Sequence, residues 1–155
     1  QLAQELTAEI DAITHQMPST ATRLVMSAKL TMRRLVKAKV LGNFLIQLPW
    51  PSQKPEFNVF KNISSDIEHG IKEGLFTKMP ASIGCNLFVG SLIGGIHVML
   101  GKSSSASYEN KVLYTALIGL GLAAETADEL LKAPVPALPK LPDTGLLGKI
   151  AALSS

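Results

Sequence analysis

Three histidines, His15, His69 and His97, and a lone cysteine, Cys85, are the side chains of this 155-residue sequence best suited to hold a metal or attack a substrate. A metal site needs such ligands at set spacings, as in HExxH on one helix face or paired CxxC turns. Here each histidine falls on a different segment and Cys85 has no second cysteine. No GxSxG elbow presents a serine nucleophile. Gly119-Leu-Gly121-Leu-Ala-Ala124 fits GxGxxA, whose glycines admit a pyrophosphate only between a strand and a helix, with a parallel strand beyond. Pro134, Pro136 and Pro139 follow instead. The expectation is a non-enzyme with no catalytic residue, no metal and no cofactor. His97 lies within an apolar stretch and needs a polar partner if it is buried.

The elements that position these residues are helical. Length points to one domain, and 46% hydrophobic against 17% charged residues excludes a disordered chain. A single cysteine fits a reducing compartment, so a cytoplasmic location is expected. Gln1–Glu5 shows no secretory leader. Leu2, Leu6, Ile10 and Ile13 mark a helix over 2–15, after which Met17-Pro18-Ser19 interrupts and can cap the next. One long helix is expected over 20–47, then others over 55–73, 81–101, 108–120 and 123–132. Four prolines from 134 to 142 force an extended tail. The expected class is all-α: an antiparallel bundle of about six helices over 1–136, with a Pro-rich tail at 137–155.

Charge is uneven. No acidic residue occurs between Asp11 and Glu56, while Arg23, Lys29, Arg33, Arg34, Lys37, Lys39 and Lys54 do. A net charge of +3 is too mild to imply nucleic-acid binding, and the expectation for such a run is a solvated helix face.

Residues 79–101 carry no Asp, Glu, Lys or Arg, long enough for a membrane span. Pro80, Asn86, His97 and five glycines weaken that reading, and a central buried helix is expected instead. Projected at 100° per residue, Gly84, Leu87, Ser91, Gly94, Gly95 and Val98 share one side. Cys85, Phe88, Leu92, Ile96 and Met99 lie opposite. On 108–120, Val112, Thr115, Ala116 and Gly119 group together, away from Leu113 and Leu117. Interior helix glycines cost about 0.5–1 kcal/mol each relative to alanine, so several on one side suggest close approach of another backbone. Two such helices joined by a short loop leave a face for a second copy, and those ten small-side residues are the expected homodimer interface. The large side points to Met26, Met32, Phe44, Phe57 and Phe60, with Trp50 at a loop corner, types that build cores and adaptable cavities.

Ala116–Pro136, with its Leu-Gly turn, short acidic segment and Pro-Val-Pro exit, resembles the close of a TetR-family transcriptional regulator. Asp66–Phe76 is similar to that family's Gly-x-x-x-Gly-x-Phe helix ending. Ala123 departs from it, standing where Ser, Thr or Asp would cap. The resemblance implies an effector-binding and dimerisation domain, here without the family's N-terminal helix-turn-helix, through which alone DNA would be bound. It implies an apolar small-molecule effector, with Phe44, Trp50, Phe57, Phe60, Phe88, Leu92 and Met99 lining or bordering its cavity. A ligand-free helical dimerisation module and a small membrane protein are the alternatives.

Overall fold

A serine, two glycines and one glutamate set several of the helix boundaries. The computed structural model describes residues 1–47, 59–101 and 106–153, so Trp50 and Phe57 lie outside the described residues. All regular structure among these is helical. Helix α1 (Leu2–Thr14) buries Leu2, Leu6 and Ile10. Ser19 then caps α2 (Thr20–Lys37) by accepting the Thr22 N–H at 3.1 Å. Twelve of the eighteen α2 residues are buried, and the helix packs on α1, α4, α5, α6 and α7, which makes it the axis of the bundle.

The single helix expected over 20–47 is two. Ala38 leaves helical geometry at φ −92°, ψ 72°, and α3 (Lys39–Ile46) sets off in a new direction. Gly42 explains what the bend accommodates. A Cβ there would strike the Leu35 carbonyl and crowd Leu100, so the α2–α3 corner folds tightly over α5. The bend lets Leu41 and Leu45 enter the core.

Helix α4 (Lys61–Lys72) ends in a glycine turn. Gly74 has φ +76°, and the amides of Leu75 and Phe76 both donate to the Gly70 carbonyl, at 2.9 and 3.2 Å. Phe76 folds back over Gly70 into the place a Cβ would take. The long apolar helix α5 (Ala81–Gly101) follows, then α6 (Ala106–Gly119), packed against it. Gly121, at φ +100°, turns the chain into α7 (Ala124–Lys132). The same turn is stitched to the start of α5 by the Thr77 N–H, which donates to the Leu120 carbonyl at 2.9 Å. The core joins Leu24, Leu30 and Met32 of α2 to Ile67 of α4, Phe88 and Leu92 of α5 and Leu113 of α6.

Beyond α7 the chain runs without regular structure to Gly145 and then forms α8 (Leu146–Ala152). The sequence pattern signals no helix there. Seven residues with two prolines close upstream give too short a pattern to detect, and α8 depends on contact with α1 and α3. Its free N-terminal amides are satisfied from the other end of the chain: the Glu5 carboxylate accepts from Leu147 at 2.8 Å and from Leu146 at 3.3 Å.

These bonds hold the Glu5 pKa below its usual carboxylate value, led by the Leu147 amide. A depressed folded pKa means a contribution present above the unfolded value and lost as pH falls through the folded one. The protection factors of the Leu146 and Leu147 amides, which correct for the slower intrinsic exchange in acid, are therefore expected to fall as pH drops below the ordinary glutamate range. Glu5→Gln should lower them in part at neutral pH; unchanged protection in both experiments would show that the cap contributes nothing.

Candidate effector and dimer surfaces

The basic run on α2 is not a solvated face. Lys29 and Arg34 are buried at 2% and 3% exposure, and Arg23 and Arg33 are partly buried. Since α2 has no acid of its own, each cation finds a partner on another element. Arg23 donates through Nε and Nη2 to Asp66 Oδ1 on α4, at 2.9 and 2.6 Å. Arg33 grips Glu109 of α6 with two bonds, 3.0 and 2.9 Å. Arg34 pairs with Glu9 of α1 and donates to the Pro139 carbonyl at 2.8 Å. Lys29 Nζ donates to the Leu131 carbonyl at 2.7 Å, closing the end of α7. Burial pushes its pKa down, opposed by the charge of Glu109. Only Lys37 and Lys39 of the described run stay in solvent. The sequence did hold a signal for this: cations with no acid within reach along their own helix must pair across the fold or face water.

Clefts open between helices among the described residues. One, about 570 Å³, lies between α6 and α7 and is open to solvent, with Asn110, Lys111, Tyr114, Asp128 and Lys132 in its wall. Another, about 230 Å³, lies between α1, α2 and α4 beside the Arg23–Asp66 pair. There Ser27 Oγ donates to Thr14 Oγ1 at 3.2 Å, and Thr14 Oγ1 to the Ile10 carbonyl at 3.0 Å.

The chemistry-bearing residues of the sequence are dispersed. His97 and His15 are exposed, the latter bonded to the Asp11 carbonyl at 2.9 Å, and His69 pairs with Glu73 one turn on. Exposure removes any need for a buried partner at His97. Cys85 is half-buried beside the Ser64 carbonyl, and desolvation pushes its thiol pKa up, away from the reactive thiolate. Among the described residues no group of three or more His, Cys, Asp or Glu could hold a metal ion.

Of the expected cavity residues, Phe60, Phe88, Leu92 and Met99 are buried on α4 and α5 or just before them. Phe44 is not with them: at 53% exposure it sits on the outer side of α3, because the bend at Ala38 turns Leu41 and Leu45 inward in its place. Trp50 and Phe57 are outside the described residues.

The expected interface residues divide. Leu87, Gly94 and Val98 of α5, with Thr115 and Gly119 of α6, are exposed, and Ser91 and Val112 are half-buried. Gly84, Gly95 and Ala116 do not belong to that exposed side. A Cβ on Gly84 would meet Ile67 and Ile71, one on Gly95 would meet Val112 and Met32, and Ala116 is fully packed. Their small size serves helix contacts within the chain. Gly119 shows the same economy, lying under Leu87 where α5 and α6 approach. The exposed stripe is rotated from the small side and centres on Ile83, with Ile118 from α6, two residues the grouping of small side chains passed over. Gly94 lies on this stripe, and a Cβ there would meet nothing.

The family model of the tetracyclin repressor-like, C-terminal domain matches residues 20–133, the whole span from α2 to α7. The chain belongs to this family. It is a TetR-like, all-helical ligand-binding domain of a transcription regulator. Membership agrees with the resemblance carried by Ala116–Pro136 and Asp66–Phe76. The helix α5 passes the length and composition test for a membrane span, but one side of it is core, as a TetR-like domain requires. The fold is also that of RolR. Its crystal structure in complex with the ligand resorcinol matches with a TM-score of 0.73 and 20% identity, over 88% of this chain and 68% of that one. The structure of RolR without ligand matches at 0.70 and 20%, over 89% and 73%. A search of curated proteins gave no match.

The α2 ion pairs make an asymmetric prediction. Arg33→Met would leave the Glu109 carboxylate, 2% exposed, without its main partner, which should cost about 3 kcal/mol. Glu109→Gln removes the buried charge but keeps its shape and should cost less. Urea unfolding of both variants measures this; equal losses would contradict it.

Proposed function

We propose that this TetR-like domain senses a small-molecule effector and forms a homodimer, so that an effector alters DNA affinity through a helix-turn-helix supplied outside this sequence. The observation that carries the proposal is the apolar stripe of α5 and α6. Ile83, Leu87 and Val98 are 56%, 39% and 41% exposed, and Ile118 is 38% exposed. Large aliphatic side chains grouped on one helix pair mark an interaction surface. A second copy is the occupant that suits it best. An antiparallel helix pair with one apolar side is self-complementary about a two-fold axis and gives a four-helix interface. Gly94 supports this, because nothing within the chain requires a glycine there, whereas a facing backbone would.

For the effector we propose an apolar small molecule against Phe60, Phe88, Leu92 and Met99, with Phe44 outside that wall. RolR, of the same fold, is seen with the aromatic ligand resorcinol, which supports a small ring as the kind of molecule such a domain holds. The coupling is thermodynamic: an effector changes DNA binding only if it binds one dimer geometry better than another. A cytoplasmic regulator fits these roles.

Leu87→Glu with Val98→Glu should convert the dimer to a monomer in sedimentation, with little change in helix content because both sites are exposed in the protomer. Gly94→Leu alone should weaken the dimer. A dimer that survives all three changes would refute the interface. A thermal-shift series with toluene and naphthalene separates sensing from a ligand-free dimerisation module. A saturating probe should stabilise by about 2.7 kcal/mol at a hundred times its Kd, and no shift with either probe counts against the apolar effector.

A further inference from the structure

We infer that the C-terminal segment 133–152 is a reversible latch: α8 docks on α1 and leaves it again, and α1 is held firmly only while α8 is docked. The latch stands apart from the apolar wall and the dimer stripe. Only its bearing on a DNA-binding head rests on the reading above.

Two buried cations of α2 catch the main chain on its way to α8. Lys29 Nζ donates to the Leu131 carbonyl at 2.7 Å, and Arg34 Nη2 to the Pro139 carbonyl at 2.8 Å. Five positions along a helix lie roughly 140° apart around its axis, so the anchored chain passes round one side of α2. Prolines at 134, 136, 139 and 142 remove amide donors from this stretch and leave its carbonyls to be gripped. Val135, Leu138 and Leu141 add apolar contact with the core.

The helix α1 presents a matching face. Glu5 and Glu9 are one turn apart on it. Glu5 accepts from the first amides of α8, and Glu9 pairs with the same Arg34 that holds Pro139. Both acids of this face are therefore committed to the segment or to its anchor. The turn into α8 is fitted to this contact. At Gly145, φ +97°, a Cβ would crowd Glu5 Oε2 at 3.2 Å, and a Cβ on Gly148 would strike the Pro142 carbonyl.

Size makes the contact reversible. A seven-residue helix does not persist alone in water. Only Leu147 of α8 is fully sunk in the core, with Ile150 and Ala151 partly covered. The Glu5 cap is half-buried. A segment with so little burial opens while the rest of the fold stays closed. The Lys29 and Arg34 anchors are themselves buried, so opening stops at Pro139 and α8 swings from there. Once it has left, α1 keeps its packing on α2 but loses the partner of its first turns. Under the reading above the head joins ahead of α1, so the latch sets how firmly that helix carries it.

The test uses the full chain. Relaxation dispersion should show exchange between two states at the amides of Leu6, Leu147 and Ile150, and none at Phe88 and Leu92. Leu147→Asp and, independently, Gly148→Val should undock α8. Each should lower the hydrogen-exchange protection of the α1 amides from Leu6 to Ile10 at least tenfold and leave that of Phe88 and Leu92 unchanged. Lys149→Ala, at an exposed position of α8, should change neither. Either undocking variant decides the matter if the other does not fold. Protection of α1 unchanged by undocking would overturn the inference. So would equal losses in α1 and α5, an absence of dispersion at α8, or failure of both variants to fold, since a latch is dispensable to the bundle. The effector and dimer proposals have their own readouts and survive any of these results.

Discussion

The burial of α2 is the constraint from which the other features follow. A helix buried on most of its circumference should be apolar all round, yet this one carries four cations that are wholly or partly withdrawn from water. Taking a charge out of water is repaid only by good geometry and a full set of partners. The partners come from α1, α4, α6, the end of α7 and the chain that follows it. Each of these partners is thereby held in register on α2 by a directional contact as well as by apolar burial, and a shift of any of them strands a charge withdrawn from water.

That arrangement has a functional consequence. A regulator domain must transmit a ligand's presence as a change in how helices sit, and packed cores respond in discrete steps. Here the α1–α2–α4 corner is joined by Arg23–Asp66 and Arg34–Glu9, and polar groups line the cleft beside the aliphatic contacts of these helices. The α5–α6 side is the opposite case. It has no charge along α5, buries its large inner residues and leaves a second apolar stripe uncovered. One side of the bundle is thus organised by polar pairing and the other by apolar burial with an exposed apolar stripe.

The alternation between inner and outer residues on α5 was legible from its spacing: Phe88, Leu92, Ile96 and Met99 do face the core. What misled the projection was the assumption that small residues mark the outside. Gly84, Gly95 and Ala116 are small because α2, α4, α5 and α6 press together within one chain, a reason that local sequence cannot distinguish from contact with a partner. Phe44 was misplaced by a single residue's backbone, since the bend at Ala38 has no proline or glycine to announce it.

Local sequence is enough to read the helical class, most helix boundaries and the glycine turn at Gly70–Phe76. These depend on periodicity, capping and positive φ, which act within a few residues. Only the packed helices reveal that the basic run is largely buried, that α2 ends at Ala38, that α8 docks on Glu5 and that three polar helix faces meet beside Asp66. Each of these pairs residues from 25 to 142 positions apart in the chain or turns on the packing between distant helices. Whether a charge, a bend or a polar face is tolerable depends on what lies opposite it, and that is fixed only when the helices are brought together.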